Sequence, residues 1–207
     1  MHMTAEHELD ESPKRRERSD ARANRQHILA VAKRLFADQG AEATSMYEIA
    51  QAANVGQGTL YRHFADKSEL CHALIKEDIQ AFQARVDGFI NDRESFPSAL
   101  LRLEIFINEK VFLTDSHLSL LVAAGGPQQK RFRGPFNQWM YDRLIMLLEE
   151  GVRAGELVPL DVPFTADAIL AAITPHLHHY QRHELGYSCE RIVAGMRHIF
   201  IEGLRAK

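Results

Sequence analysis

Residues Thr44 to Lys67, TSMYEIAQAANVGQGTLYRHFADK, constrain this chain more than any other stretch. Ser45-Met46-Tyr47-Glu48 has the form of a capping box, a hydroxyl and a carboxylate three apart that satisfy orphan amides at a helix start. Met46, Ile49, Ala50 and Ala53 then fall on one helical face. Asn54-Val55-Gly56 interrupts the pattern. Asn and Gly tolerate the positive φ of a sharp reversal, and Val55 supplies an apolar plug between two helices. A second short helix is predicted over Gln57–Phe64, with Leu60 and Phe64 inward at i, i+4. Its outer face carries Gln57, Gly58, Thr59, Tyr61, Arg62 and His63, hydrogen-bonding groups suited to a DNA major groove. The spacing alone leaves two readings open, because helix-turn-helix geometry also occurs as plain scaffolding.

The flanking sequence extends the unit. Ala23–Gln39 carries an apolar stripe of Ile28, Leu29, Ala32, Leu35 and Phe36, and Gly40 follows as a helix stop. Asp66 is placed to cap the next helix with Glu69, which puts Lys67 in its first turn. A three-helix unit over about 21–66 therefore leads into a long fourth helix. The net charge of −3 hides an asymmetry. Residues 13–67 hold ten Lys/Arg against six Asp/Glu, which leaves +4 there and −7 in the remainder. A cationic footprint at one end of a chain favours a polyanionic partner there and disfavours it elsewhere.

With those residues in place, the chain resembles the tetracycline-repressor (TetR) family over about residues 24–80. The resemblance is carried by Ile28 to Phe36, Gly40, Thr44, Ile49-Ala50, Ala53, Val55, Gly58 to Phe64, Lys67 and Leu70. Asn54 and Gly56 depart from it, standing where the family more often has Gly and a small hydroxyl residue. The resemblance implies an all-α chain, with an N-terminal helix-turn-helix domain followed by a larger helical ligand-binding and dimerisation domain. It also implies a homodimer on a palindromic operator in double-stranded DNA, controlled by a small-molecule effector. Repression is the implied sign of control.

Composition agrees with a globular chain: 45% hydrophobic and 26% charged residues. No apolar run approaches twenty residues and the first residues lack an apolar leader, so the expected location is the cytoplasm. Cys71 and Cys189 make no disulfide framework and suit a reducing compartment. His2-Met3 has the look of a cloning remnant. The expected organisation is an N-terminal arm over 1–20, a DNA-binding domain over 21–80 and a body over 81–207. Beyond the head, helices are predicted over Ser68–Asn91, Phe96–Leu113, His117–Ala124 (ended by Gly125-Gly126-Pro127), Phe136–Ala154, Thr165–Glu184 and Ser188–Arg205. The total is about nine.

Candidate sites follow. Thr44 and Ser45 stand where a helix N-terminus can take a phosphate. Gln57, Thr59 and Arg62 have side chains matched to base edges, and Gly58 permits close approach of the backbone to DNA or to the preceding helix. Tyr61, His63 and Lys67 match family positions that contact flanking phosphates, with Arg22 and Arg25 as further candidates. In the body, Phe106, Trp139, Met140, His176 and Tyr180 are the expected walls of an effector site, among other aromatics such as Phe112, Phe132 and Phe136. Ile173, Leu177, Ile192, Met196, Ile199 and Phe200 are the expected dimer face, built from the last two helices. His176, His179 and His183 share a face at i, i+3, i+7, which keeps a metal sensor or metal-dependent enzyme open as a rival reading. A protein-interaction module without DNA binding is the other. No phosphate loop, nucleophile elbow or metalloprotease motif is present, and no cofactor is expected.

Overall fold

The computed structural model describes residues 13–124 and 134–207, with side chains from residue 20 onward. Residues 1–12, the first part of the expected arm with His2-Met3, lie outside the described residues, as do Gly125-Gly126-Pro127 and Phe132. Among the described residues there are eleven α-helices: α1 Pro13–Gln39, α2 Met46–Ala52, α3 Gln57–His63, α4 Lys67–Leu74, α5 Lys76–Asn91, α6 Ala99–Ser116, α7 Leu118–Ala123, α8 Pro135–Arg153, α9 Val162–Ala172, α10 Pro175–His179 and α11 Cys189–Arg197. Two π-helical turns, Tyr180–Glu184 and His198–Glu202, continue α10 and α11. The all-α class is as expected. Two compact units divide between Lys67 and Ser68, where the sequence reading drew the line after residue 80.

Helix α1 starts ten residues before the expected Ala23, inside the stretch read as an arm. The reason is chemical: Lys, Arg and Glu lose little rotamer freedom in a helix, and Pro is tolerated in a first turn. The helix expected over Ser68–Asn91 is interrupted at Ile75, which has φ −102° and ψ 7°. No Gly or Pro marks the break. Ile75 is fully buried there, so packing rather than local propensity sets the interruption. Thr165–Glu184 is likewise broken at Ile173-Thr174, with Pro175 in the first turn of α10.

In the head, Ile28, Val31, Ala32 and Phe36 of α1 are buried with Ile49 and Ala50 of α2, its C-cap Ala53, and with Leu60 and Phe64. His27 Nε2 bonds the Ala53 carbonyl at 3.0 Å, and the Arg25 guanidinium lies 4.7 Å over the Phe64 ring. Both contacts tie α1 to its neighbours. Gly40 closes α1 at φ +89°. At the end of α2, Asn54 N–H donates to Gln51 O and Val55 N–H to Ala50 O, both at 3.0 Å. That pair of bonds is a Schellman stop, with Asn54 as its left-handed residue at φ +52°. Gly56, expected to share the positive φ, has φ −64° and serves as the N-cap of α3.

The body is organised about α6, whose buried face includes Leu103, Phe106, Ile107 and Val111 and which packs on α5, α8 and α11. Two polar devices fix it. Glu156 accepts from the Ser98 hydroxyl (2.6 Å) and from the Leu100 and Ala99 amides, capping the start of α6. Burial raises the Glu156 pKa, but those three bonds and Arg102 outweigh it and hold the carboxyl below its ordinary value. Arg102, fully buried, donates to Glu150 Oε1 (2.6 Å), Ile90 O (3.1 Å) and Ser98 O (3.3 Å). A buried cation is tolerable only when paired and hydrogen-bonded in this way. The chain end is stitched back by Val158 N–H to Leu204 O and Ala206 N–H to Glu156 O, each 2.9 Å.

Because Asn54 sits in the left-handed region, Asn54→Ala is expected to lower stability by about 1 kcal/mol, whereas Asn54→Gly leaves it equal or higher. Urea denaturation of the two variants checks this; equal losses would contradict the assigned turn.

Candidate nucleic-acid interface

Helix α3 is only seven residues long and is held by its inner face. Leu60 is buried, Phe64 at the C-cap is buried, and the Phe64 N–H closes on Leu60 O at 2.9 Å. Gln57, Gly58, Tyr61 and Arg62 are exposed, with Thr59 and His63 half-buried beside them. Tyr61 leaves 51% of its surface to solvent, so it is not a core aromatic. The face contains no acid and two basic groups, Arg62 and His63, in its last turn.

Several sequence assignments sharpen here. A Cβ built on Gly58 meets no atom within 4 Å, so the preceding helix does not require this glycine. The space above it is open. Arg62 folds back on its own helix, Nε to Gly58 O and Nη2 to Thr59 Oγ1, each 3.2 Å. This ties the Arg62 guanidinium to its own helix, while the Thr59 hydroxyl accepts and keeps its proton and methyl outside that bond. Lys67 Nζ donates to Glu42 O at 3.0 Å, tethering the α1–α2 loop.

Two assignments need correction. Thr44 is buried, and its hydroxyl donates to Gly40 O at 2.8 Å, so that hydroxyl faces inward rather than toward a phosphate. Ser45 is exposed, but its amide and hydroxyl both donate to Glu48 Oε2 at 2.7 Å. The Glu48 amide returns a bond to Ser45 Oγ at 3.2 Å. The backbone bond from Ser45, then its hydroxyl, hold the Glu48 carboxyl below the usual range, so an anion already occupies this helix start. The capping box that identified α2 is therefore the reason Ser45 is a poor phosphate donor. Arg25, stacked on Phe64, is a clamp within the head. Tyr47 was not singled out by sequence reasoning, yet it is 54% exposed, with its hydroxyl accepting from Gln51 one turn along. An aromatic outside the apolar stripe of α2 was the available signal.

The body residues separate into different environments. Phe106 and Met140 are sealed in the core, Trp139 packs against it half-buried, and His176 and Tyr180 are exposed. The five thus do not share one wall. Phe82 is the residue the sequence reading missed: its ring lies 6.2 Å from Phe106, 5.9 Å from Phe136 and 5.8 Å from Trp139, edge-on to each. Of the expected dimer face, Ile173, Ile192 and Met196 belong to the subunit's own core. Phe200 packs partly against that core, and only Leu177 (39%) and Ile199 (59%) stand clear. The histidine face is also rephased. His179 and His183 rings approach to 4.6 Å, but Tyr180–Glu184 is a π turn, closed by Leu185 N–H to Tyr180 O, so i+7 no longer overlies i. Among the described residues no group of three His, Cys, Asp or Glu is placed to hold a metal. No helix among them is long and apolar enough to cross a membrane.

Comparison with known proteins places this geometry. Residues 28–74 match the family described as bacterial regulatory proteins, tetR family. A helix-turn-helix-type transcriptional regulator of Staphylococcus aureus strain USA300 is 33% identical over 126 residues, 60% of this chain and 67% of that protein. Another, from strain MRSA252, is 27% identical over 187 residues, 89% of this chain and 96% of the relative. Among solved structures, the Bacillus subtilis transcriptional regulator FadR in complex with stearoyl-CoA superposes with a TM-score of 0.63 at 20% identity. That match covers 87% of this chain and 99% of the other.

If Gly58 exists for external contact, Gly58→Ala raises the thermal midpoint, since Ala is the better helix former by about 1 kcal/mol, yet weakens duplex DNA binding at least tenfold. Calorimetry and fluorescence anisotropy on one preparation decide it. Undiminished DNA affinity would remove Gly58 from the interface.

Proposed function

The chain belongs to the tetR family of bacterial regulatory proteins, and from that premise we propose that it is a homodimeric repressor, released from a palindromic operator by a small-molecule effector. The single observation that carries the DNA reading is α3: seven residues pinned by Leu60 and Phe64, with Gln57, Gly58, Tyr61 and Arg62 turned outward. Gln57 and Thr59 read base edges, and Arg62 joins them once it leaves Gly58 and Thr59. Tyr61, His63 and Lys67 hold phosphates. Double-stranded DNA is a polyanion, and the +4 balance of residues 13–67 gives it a place to dock. Residues 68–207, with fifteen Lys/Arg against eighteen Asp/Glu and so a balance of −3, are not that place. We assign the DNA-binding role to residues 21–80, the effector and dimer roles to 81–207, and the cytoplasm as the location.

A dimer is required by reach. One short helix reads few base pairs, whereas two related by a two-fold axis read a palindrome and double the phosphate contacts. The exposed apolar residues Leu177, Tyr180, Leu185 and Ile199 support its placement on the last two helices, two of them on the π turns. Effector control has its support in the bound stearoyl-CoA of the Bacillus relative and in the aromatic body of this chain. The effector acts by differential affinity for two body states, and a hundredfold change in operator affinity corresponds to roughly 2.7 kcal/mol of coupling.

Two expectations follow. Tyr61→Ala and Lys67→Ala weaken binding about equally on all duplexes, with Lys67→Ala reducing the salt slope by about one, while Gln57→Ala or Thr59→Ala changes base preference in a pooled-duplex selection. An unaltered slope for Lys67→Ala would remove it from the phosphate contacts, and a selection yielding no preferred sequence would remove the function itself. Leu177→Asp with Ile199→Asp converts the dimer to monomers in sedimentation, since a carboxylate buried in an apolar interface is costly. A persisting dimer would move the interface elsewhere.

A further inference from the structure

Among the described residues the body buries three cationic or protonatable side chains deeply, and two of them carry their own counter-charge. Arg102 has Glu150 at 2.6 Å, and His178 has Asp115 at 2.9 Å, with Arg182 on the same carboxylate. Lys110 is the exception. It is 5% exposed, and its partner among the described residues is the Thr114 hydroxyl one turn along α6. Thr114 is itself buried and turns its own proton to the Lys110 carbonyl at 2.9 Å. No carboxylate among the described residues comes within ion-pair distance of Nζ.

Position adds to this. Lys110 lies one helical turn from Phe106, on the same buried face of α6. Phe106 is one edge of the ring cluster that Phe82 shares with Phe136 and Trp139. Along the buried face of α6, the residue that touches this ring cluster is thus followed one turn later by an ammonium that no carboxylate among the described residues pairs. We propose that this is the effector site, and that it takes an apolar small molecule ending in a carboxylate, the carboxylate against Lys110 and Thr114 and the apolar part along Phe106, Phe82 and Trp139. The assignment rests on the effector-controlled reading above and names the chemistry of that effector. Burial lowers the Lys110 pKa to about 8, so the ammonium stays mostly charged at pH 7 and has a use for an anion. A buried cation kept without an internal partner costs stability that a Met of similar volume would not, so structure alone gives no reason for it.

The test uses the full-length protein and two probes of one shape, decanoate and decanamide. Trp139, the single tryptophan, reports occupancy by its emission. At pH 7 decanoate is expected to bind at least tenfold more tightly than decanamide. Lys110→Met abolishes the difference, keeps the decanamide affinity and raises the thermal midpoint. Equal affinities in the unaltered protein would overturn the proposal, as would a carboxylate preference that survives Lys110→Met. Lys110→Arg, which keeps the charge, retains the preference; its loss there together with a lowered midpoint in Lys110→Met would mark the lysine as structural and also overturn it. Operator affinity measured with each probe separates the two readings. If decanamide releases DNA as well as decanoate does, effector control stands and the carboxylate site falls. If decanoate binds through Lys110 and DNA affinity does not change, the site stands and effector control falls.

Discussion

A seven-residue helix has no stability of its own in water, because nucleation costs more than so few hydrogen bonds return. Helix α3 exists only because Leu60 and Phe64 are inserted into the core formed by α1 and α2. Burial of two side chains thereby holds the exposed Gln57, Tyr61 and Arg62 in fixed relative geometry. The Schellman stop at Asn54 sets where the chain leaves α2, and Gly56 opens α3 without a side-chain cap. The recognition surface is therefore a consequence of the head's interior.

The body follows a different rule. Its long helices are stable through wide apolar contact, and its polar groups act as local fasteners: Glu156 on the start of α6, Arg102 on Glu150, His178 and Arg182 on Asp115. Each fastener pairs opposite charges or satisfies orphan amides, which is what allows them in an apolar interior. Against that background an ammonium bonded to one hydroxyl is an anomaly, and anomalies of this kind collect at functional positions.

Legibility differed by element for physical reasons. The α2–turn–α3 unit was readable because capping, reversal and inward spacing are local properties of adjacent residues. Which of its polar groups are free was less so: Ser45 and Thr44 carry groups suited to a phosphate, but the Glu48 carboxylate and the Gly40 carbonyl claim them through the folded geometry. The last two helices misled for another reason. Ile173, Ile192 and Met196 repeat at the helical period, and periodicity marks a buried face without saying whether the burial is within a subunit or between two. The histidine face failed because an α-helical period was assumed through a segment that turns with i→i+5 bonds.

What the amino-acid order determined alone was the local chemistry: helix after helix, the capped short pair, the left-handed Asn54, the cationic head and acidic remainder, and the family to which they point. Those features rest on neighbours a few residues apart, so they can be read in one dimension. Tertiary structure decided the break at Ile75, the enclosure of Phe106 beside Phe82, the pairing of Arg102 and His178, and the lack of such a pairing for Lys110 among the described residues. Each of those depends on side chains brought together from distant helices, and burial converts an ordinary charge into an expensive one only once that assembly has formed.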